Sequence, residues 1–209
     1  MSEIQIRKIT AEDIPVLVPL LAKSFAAQPL TRWMLGDDER ALRRGERVLK
    51  LDFENAFQYN LMFTTTGLQG AALWHPPDRT QTAWQGVMWL LKLIQIVGIS
   101  RNLPAQLESF WKLEKLFPRI PNYYLSMLAV AAPFQGQGIG SALLQPVLKI
   151  CDARGIIAYT VTDMEPNVVF YQKQGFRVKD VIPIPRACLK AWTMSREPQS
   201  TATQKSQGW

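Results

Sequence analysis

The chain opens with an alternation of apolar and polar residues, Ile4-Gln5-Ile6-Arg7, which is the period of a half-buried strand. Thr10, with Asp13 three positions on, resembles a capping box and predicts a helix to about Phe25. Pro15 suits the first turn of that helix, whereas Pro19 lies deeper and predicts a kink. A second helix is expected from about Asp38 to Tyr59, with Leu42, Val48, Leu49 and Phe53 inward. Met62 to Thr66 and Gly70 to Trp74 flank Gly67-Leu68-Gln69 and read as a hairpin.

From Gln81 to Phe117 the pattern is helical and rich in large apolar groups, among them Trp84, Trp89, Phe110 and Trp111. It suits a helical pair packed on the core, or a wall for an apolar substrate. Beyond Tyr123 the pattern becomes regular. Leu125 to Ala131 is a strand, a glycine-rich turn follows, and Ile139, Leu143, Val147, Ile150 and Cys151 keep helical spacing up to Gly155. Ile156 to Thr162 is a second apolar strand, and Asn167 to Gly175 a second helix. Val178 to Ile184 and Leu189 to Ser195 close the chain as strands. Strand–helix–strand–helix followed by two strands implies an α/β fold around a mixed sheet. Pro146, inside the first of these helices, has no explanation in the pattern.

A strand running through glycines into a helix makes an anion site. The first helical amides lack intrahelical acceptors, and the macrodipole adds roughly half a positive charge. Gly136, Gly138 and Gly140 keep side chains away from that backbone. A P-loop needs Lys after the last glycine, and here Ser141 follows. A dinucleotide fingerprint needs glycine at position 141 and normally opens its fold, whereas this turn lies past mid-chain. Asp163 alone stands near where a ribose-binding acid would fall.

Gln135-x-x-Gly138-x-Gly140 resembles the acyl-CoA signature Q/R-x-x-G-x-G/A of the GNAT N-acetyltransferase superfamily. Asn167-Val168-Val169-Phe170-Tyr171-Gln172-Lys173-Gln174-Gly175-Phe176 is similar to that family's N-x-x-x-x-Y-x-x-x-G-F block, one strand and one helix downstream. Pro29-x-Thr31-Arg32-Trp33, Trp74-x-Pro76-Pro77, Tyr124-Leu125, Pro146 and Trp192-x-Met194-x-Arg196-x-Pro198 look like the branch containing puromycin N-acetyltransferase. The resemblance covers about three quarters of the chain.

It implies the GNAT fold, a mixed sheet of about seven strands flanked by helices, in one domain over 1–198. The helical insertion would lie at about 81–117 and a polar tail at 199–209. It also implies a bulged strand, Met127 to Ala131, whose Leu128, Ala129 and Val130 pair with the pantetheine arm of acetyl-CoA. The amides of Gln135, Gly136, Gln137, Gly138, Ile139, Gly140 and Ser141 would hold the pyrophosphate, and the Asn167 side chain would bond the cofactor. Tyr171 would sit beside the sulfur as general acid.

In the puromycin-type branch the strand after the first of these helices commonly ends in Leu-Glu-Thr. Here the aligned residues are Thr160-Val161-Thr162, and Val161 cannot accept a proton. Asp163, Glu165 and His75 are nearby substitutes, and Asp163 is preferred. A water relay is the other solution. The expected function is acetyl transfer to a primary amine of a small molecule in a ternary complex. The alternative is an acyl-CoA-binding sensor without turnover.

Composition adds bounds. With 209 residues, 47% of them apolar, the chain can bury a sizeable core. Two cysteines and one histidine argue against a disulfide framework or a metal centre, so no metal is expected. No apolar run approaches the roughly 18 residues of a membrane span, and no signal peptide is visible, so a cytoplasmic protein with no membrane partner is expected. The excess of 24 basic over 17 acidic residues favours anionic ligands. Its scatter, without a basic and aromatic platform, predicts no nucleic-acid partner. Monomer and homodimer both remain open.

Overall fold

A computed structural model describes residues 4–78, 91–96, 98, 108, 120–184 and 188–199. Among these, a mixed sheet contains β1 (Ile6–Lys8), β2 (Met62–Thr65), β3 (Gly70–His75), β4 (Asn122–Val130), β5 (Ile157–Thr162), β6 (Arg177–Ile184) and β7 (Leu189–Arg196). The strands lie in the order β1-β2-β3-β4-β5-β7-β6. The helices are α1 (Ile14–Phe25), α2 (Pro29–Leu35), α3 (Ala41–Phe57), α4 (Ile139–Arg154) and α5 (Glu165–Lys173), with a further helical stretch at 91–96.

Neighbouring strands are antiparallel except β4 and β5, which run parallel. A parallel pair needs a long crossover, and α4 supplies it. Apolar burial sorts the helices onto two faces. Ile139, Leu143, Val147 and Cys151 of α4 and Val168 and Tyr171 of α5 pack with Trp74, Leu125 and Met194 on one face. Leu17 and Leu21 of α1 and Leu49 and Phe53 of α3 pack with Leu73, Met127 and Ala129 on the other. Leu30 and Trp33 of α2 cover a separate patch on Ile182, Ile184 and Ala191.

The expected seven-stranded mixed sheet is present, with shifted boundaries. The first strand begins two residues later than the alternation implied, at Ile6. β4 begins at Asn122 rather than Leu125, and α5 at Glu165 with Pro166 in its first turn. Pro19 lies inside α1, and Pro146 inside α4. Helix α2 was not expected. Its signature was legible all the same, with Pro29 at the first turn and Gly36 past the end at φ 84°. Most of the expected insertion at 81–117 and the tail after Gln199 lie outside the described residues. Among the described residues no single helix is long and apolar enough to cross a membrane.

Asp13 anchors the entry to α1. It accepts the Thr10 amide and hydroxyl at 2.8 and 3.0 Å and the Arg7 guanidinium at 2.6 and 2.8 Å. The Arg7 fork, with help from Thr10, holds its carboxyl well below the usual carboxylate range despite burial.

Candidate active site

β4 changes character at Ser126. Up to Leu125 it pairs on both sides, with Tyr124 opposite Tyr159 and Leu125 opposite Thr160 on β5. Across to β3, Trp74 pairs with Leu125 and Leu73 with Met127, so Ser126 is the extra residue of a β-bulge. Its hydroxyl donates to the Leu73 carbonyl at 3.2 Å. The bulge inverts the alternation: Leu125 belongs to the α4 face, and Met127 to the α1/α3 face. Beyond it β4 runs on to Val130 without a partner on its β5 side among the described residues, and β5 ends at Thr162. The two parallel strands therefore splay where Leu125 and Thr160 part.

Strand alternation decides which backbone groups face the gap. The Ala131 amide donates to the Gln69 carbonyl at 2.9 Å, toward β3. By the period of two, Ala129 also turns toward β3, while Leu128 and Val130 turn toward the gap. Of the three strand residues expected to pair with a pantetheine arm, Leu128 and Val130 thus present their main chain to it. The Val130 carbonyl accepts the Gln135 side-chain amide at 2.9 Å, which pins the turn to the strand end. The Gln135 backbone amide closes onto the Ala132 carbonyl, so its contribution is this clamp and not an outward N–H as expected.

The remaining turn amides differ. Those of Gly136, Gln137 and Gly138 have no backbone acceptor among the described residues. Those of Ile139, Gly140 and Ser141 form the first turn of α4, where intrahelical acceptors are lacking. The 16-residue helix directs its positive end at the same spot. Gly136 at φ 76° and Gly138 at φ 83° need the left-handed region, and a Cβ on Gly136 would meet nothing within 4 Å. The space before the turn is therefore open. Gly140 serves a different purpose: a Cβ there would lie 3.3 Å from the Phe170 ring, so this glycine lets α4 approach α5. Ser141 accepts the Gln174 side chain at 3.0 Å, and Gln137 donates to the Pro133 carbonyl at 3.3 Å.

Tyr171 reaches the splay point from the other side. Its phenol lies close to Thr160, whose hydroxyl donates to the Leu125 carbonyl at 3.1 Å. Burial pushes the phenol up to about 12, with the nearby Thr160 side chain acting in the opposite direction. The Asn167 side chain donates to the Thr162 hydroxyl at 3.2 Å, at the last residue of β5. Thr160, Thr162 and Ser126 were not singled out by the sequence reading. The slip from Leu125 to Met127 and Leu128 was a readable sign of the bulge, whereas nothing in the spacing marked the two threonines.

The residues considered for the missing acid separate. Val161 pairs with Thr193 and packs with the apolar patch under α2. Asp163 follows β5. Burial raises its carboxyl above the ordinary value, opposed by hydrogen bonds from its own amide and from that of Leu30 at the head of α2. Its Oδ2 is buried and has no hydrogen-bond partner among the described residues. Glu165 is exposed in the first turn of α5. His75 ends β3, its ring 5.8 Å from Tyr124 and 5.2 Å from Tyr59. Among the described residues no group of three or more His, Cys, Asp or Glu side chains converges as a metal site would require.

Residues 86–178 match the family model of the acetyltransferase (GNAT) domain, a span that includes the bulge, the turn and Tyr171. The fold is similar to a Corynebacterium glutamicum structure described as histone acetyltransferase HPA2 and related acetyltransferase. The TM-score is 0.71 at 20% identity, with 95% of this chain and 98% of that one covered. Arylalkylamine N-acetyltransferase 2 from Aedes aegypti aligns with TM-score 0.67 at 16% identity over 95% and 100% of the two chains. PaiA N-acetyltransferase from Thermoplasma acidophilum, solved with coenzyme A, gives 0.54 at 17% identity over 94% and 99%.

Proposed function

We propose that this chain is a GNAT acetyltransferase that transfers an acetyl group from acetyl-CoA to a primary amine of a small molecule, a reading supported by the family-model match over residues 86–178. The observation that carries the reading is the juxtaposition of three features at one point. These are the edge of β4 after Ser126, unpaired among the described residues, the open glycine turn before α4, and Tyr171 in the Leu125 cluster beside Thr160. The solved relative with coenzyme A has the same fold. The finer likeness to the puromycin-type branch rests on the sequence motifs.

Acetyl-CoA would lie with its diphosphate on the amides of Gly136 to Ser141 and its pantetheine along Leu128 and Val130. An N–H from that edge, such as that of Val130, offers the oxyanion a donor as the thioester carbonyl is attacked. The amine nitrogen forms its bond to the carbonyl carbon, and the carbon–sulfur bond breaks to leave a thiolate. Asp163 takes the amine proton. A carboxyl raised by burial and left with one unengaged oxygen suits a base for that step.

Tyr171 stays protonated across the range in which an amine is neutral, so a hydrogen is always available for the sulfur. Complete transfer from a phenol at about 12 to a thiolate near 8.5 would be uphill by roughly 5 kcal/mol. Its contribution is therefore a hydrogen bond to the developing thiolate, with the final proton arriving from solvent.

Thiol release from acetyl-CoA across an amine panel tests this reading. The expected result is turnover with at least one primary amine, lowered about 100-fold in kcat by Asp163→Asn. Tight coenzyme binding with no turnover on any amine would favour the sensor alternative, which the apolar Val161 motivates.

A further inference from the structure

Two apolar clusters lie beneath the described helices α1, α3 and α2. Leu73, Met127 and Ala129 lie under α1 and α3; Val161, Ile182 and Ala191 lie by α2; the two apolar clusters do not join. Between them the sheet carries a different set of side chains. Ser126 is exposed although β4 is a central strand, and Tyr59, His75 and Tyr124 are half-buried beside it. The rings form a continuous run: Tyr59 to His75 at 5.2 Å edge-on, His75 to Tyr124 stacked at 5.8 Å, Tyr124 to Tyr159 at 6.1 Å. Tyr159 is the buried end of the run, with Thr193 close to its phenol. Thr193 takes the Asp180 amide at 3.1 Å and donates to the Asp180 carboxylate at 3.4 Å.

We infer that this ring platform is the acceptor subsite and that it selects primary amines carrying an aromatic group. The inference rests on the acyl-transfer reading for its location, since the platform borders the bulge where the thioester carbonyl would lie. Specificity follows from the chemistry on offer. Stacked rings attract another ring in offset or edge geometry and an ammonium over a ring face. A polyamine would need several spaced counter-charges, whereas the side chains of this run are aromatic.

The test is equilibrium titration of the full chain, with and without saturating coenzyme A, using 2-phenylethylamine, 2-cyclohexylethylamine and spermidine. The phenyl amine should bind at least about tenfold tighter than its saturated counterpart, and spermidine weakest. Tyr124→Leu should erase that preference, and Ser126→Leu, which fills the opening, should weaken both cyclic amines. In both variants the coenzyme affinity should stay within twofold, which also reports an intact fold. Equal binding of the two cyclic amines, no binding of either, or a preference that survives Tyr124→Leu would overturn the inference. Failure of coenzyme binding in the unaltered chain would instead count against the acyl-transfer reading, while the amine comparison would still be decided.

Discussion

The two halves of β4 differ in one respect, and that difference separates stability from function. Residues 122 to 125 pair with β5, and 124 and 125 with β3 as well, while 127 to 130 have β3 on one side and, among the described residues, a gap on the other. The closed half is strapped from above. Arg196, opposite Ala158, forks onto Asp152 of α4 at 2.7 and 2.9 Å, and Arg154 donates to the Tyr123 hydroxyl at 2.9 Å. The open half is bounded by backbone amides and by glycines that leave room. One inserted residue, Ser126, is the boundary. The same strand is thus a structural beam at its start and, in the proposed function, a docking edge at its end.

The comparison breaks first at the strap. The Arg196 side chain is 5% exposed, and removing its partner by Asp152→Ala leaves a buried charge without its fork. Denaturant unfolding should show a loss of roughly 3 to 5 kcal/mol, while the coenzyme dissociation constant of the folded protein changes less than about threefold. Equal damage to both would mean that the two halves are not separable.

Tyr171 bridges the halves, and its pH response sharpens the division. An unfolded tyrosine releases its proton near 10, whereas the folded one holds it to about 12. Above 10 the unfolded state therefore binds fewer protons, so stability falls as pH rises between 10 and 12. The Tyr171 share of the loss should be roughly 2 to 3 kcal/mol, and Tyr171→Phe should lower the slope of urea melts across the window by that amount, the buried Cys151 thiol and Tyr159 phenol supplying what remains.

At the open end, Gly138→Val forces a β-branched residue to φ 83° and places a side chain in the phosphate approach. It should cost about 1 to 2 kcal/mol of stability and weaken coenzyme binding by about tenfold or more by calorimetry. Thr160→Val is the mildest change. It removes the hydroxyl that donates to the Leu125 carbonyl at 3.1 Å, and a loss of about 1 kcal/mol is expected with coenzyme affinity nearly unchanged.

Much of this was legible in the sequence, for physical reasons. The turn announced itself because Gly136 and Gly138 occupy a backbone region that other residues rarely adopt. The order of strands and helices after Tyr123 followed from clean periodicity. Helix α2 was missed because its seven residues are too short to show a period, and only Pro29 and Gly36 marked it. The start of β4 was read late because Asn122 interrupts the apolar pattern while being buried by tertiary packing. Thr160 and Thr162 were invisible as neighbours of Tyr171 and Asn167. They are brought together by the α5 return, and no local spacing encodes that.

The central claim is that the splayed edge and the glycine turn together receive acetyl-CoA. Amide hydrogen exchange resolved to single residues, with and without acetyl-CoA, tests it most directly. The account predicts slowed exchange at Leu128, Val130 and Gly136 to Ser141, with Tyr123 to Leu125 unchanged. Binding that leaves Leu128, Val130 and the turn exchanging at their free rates would contradict it.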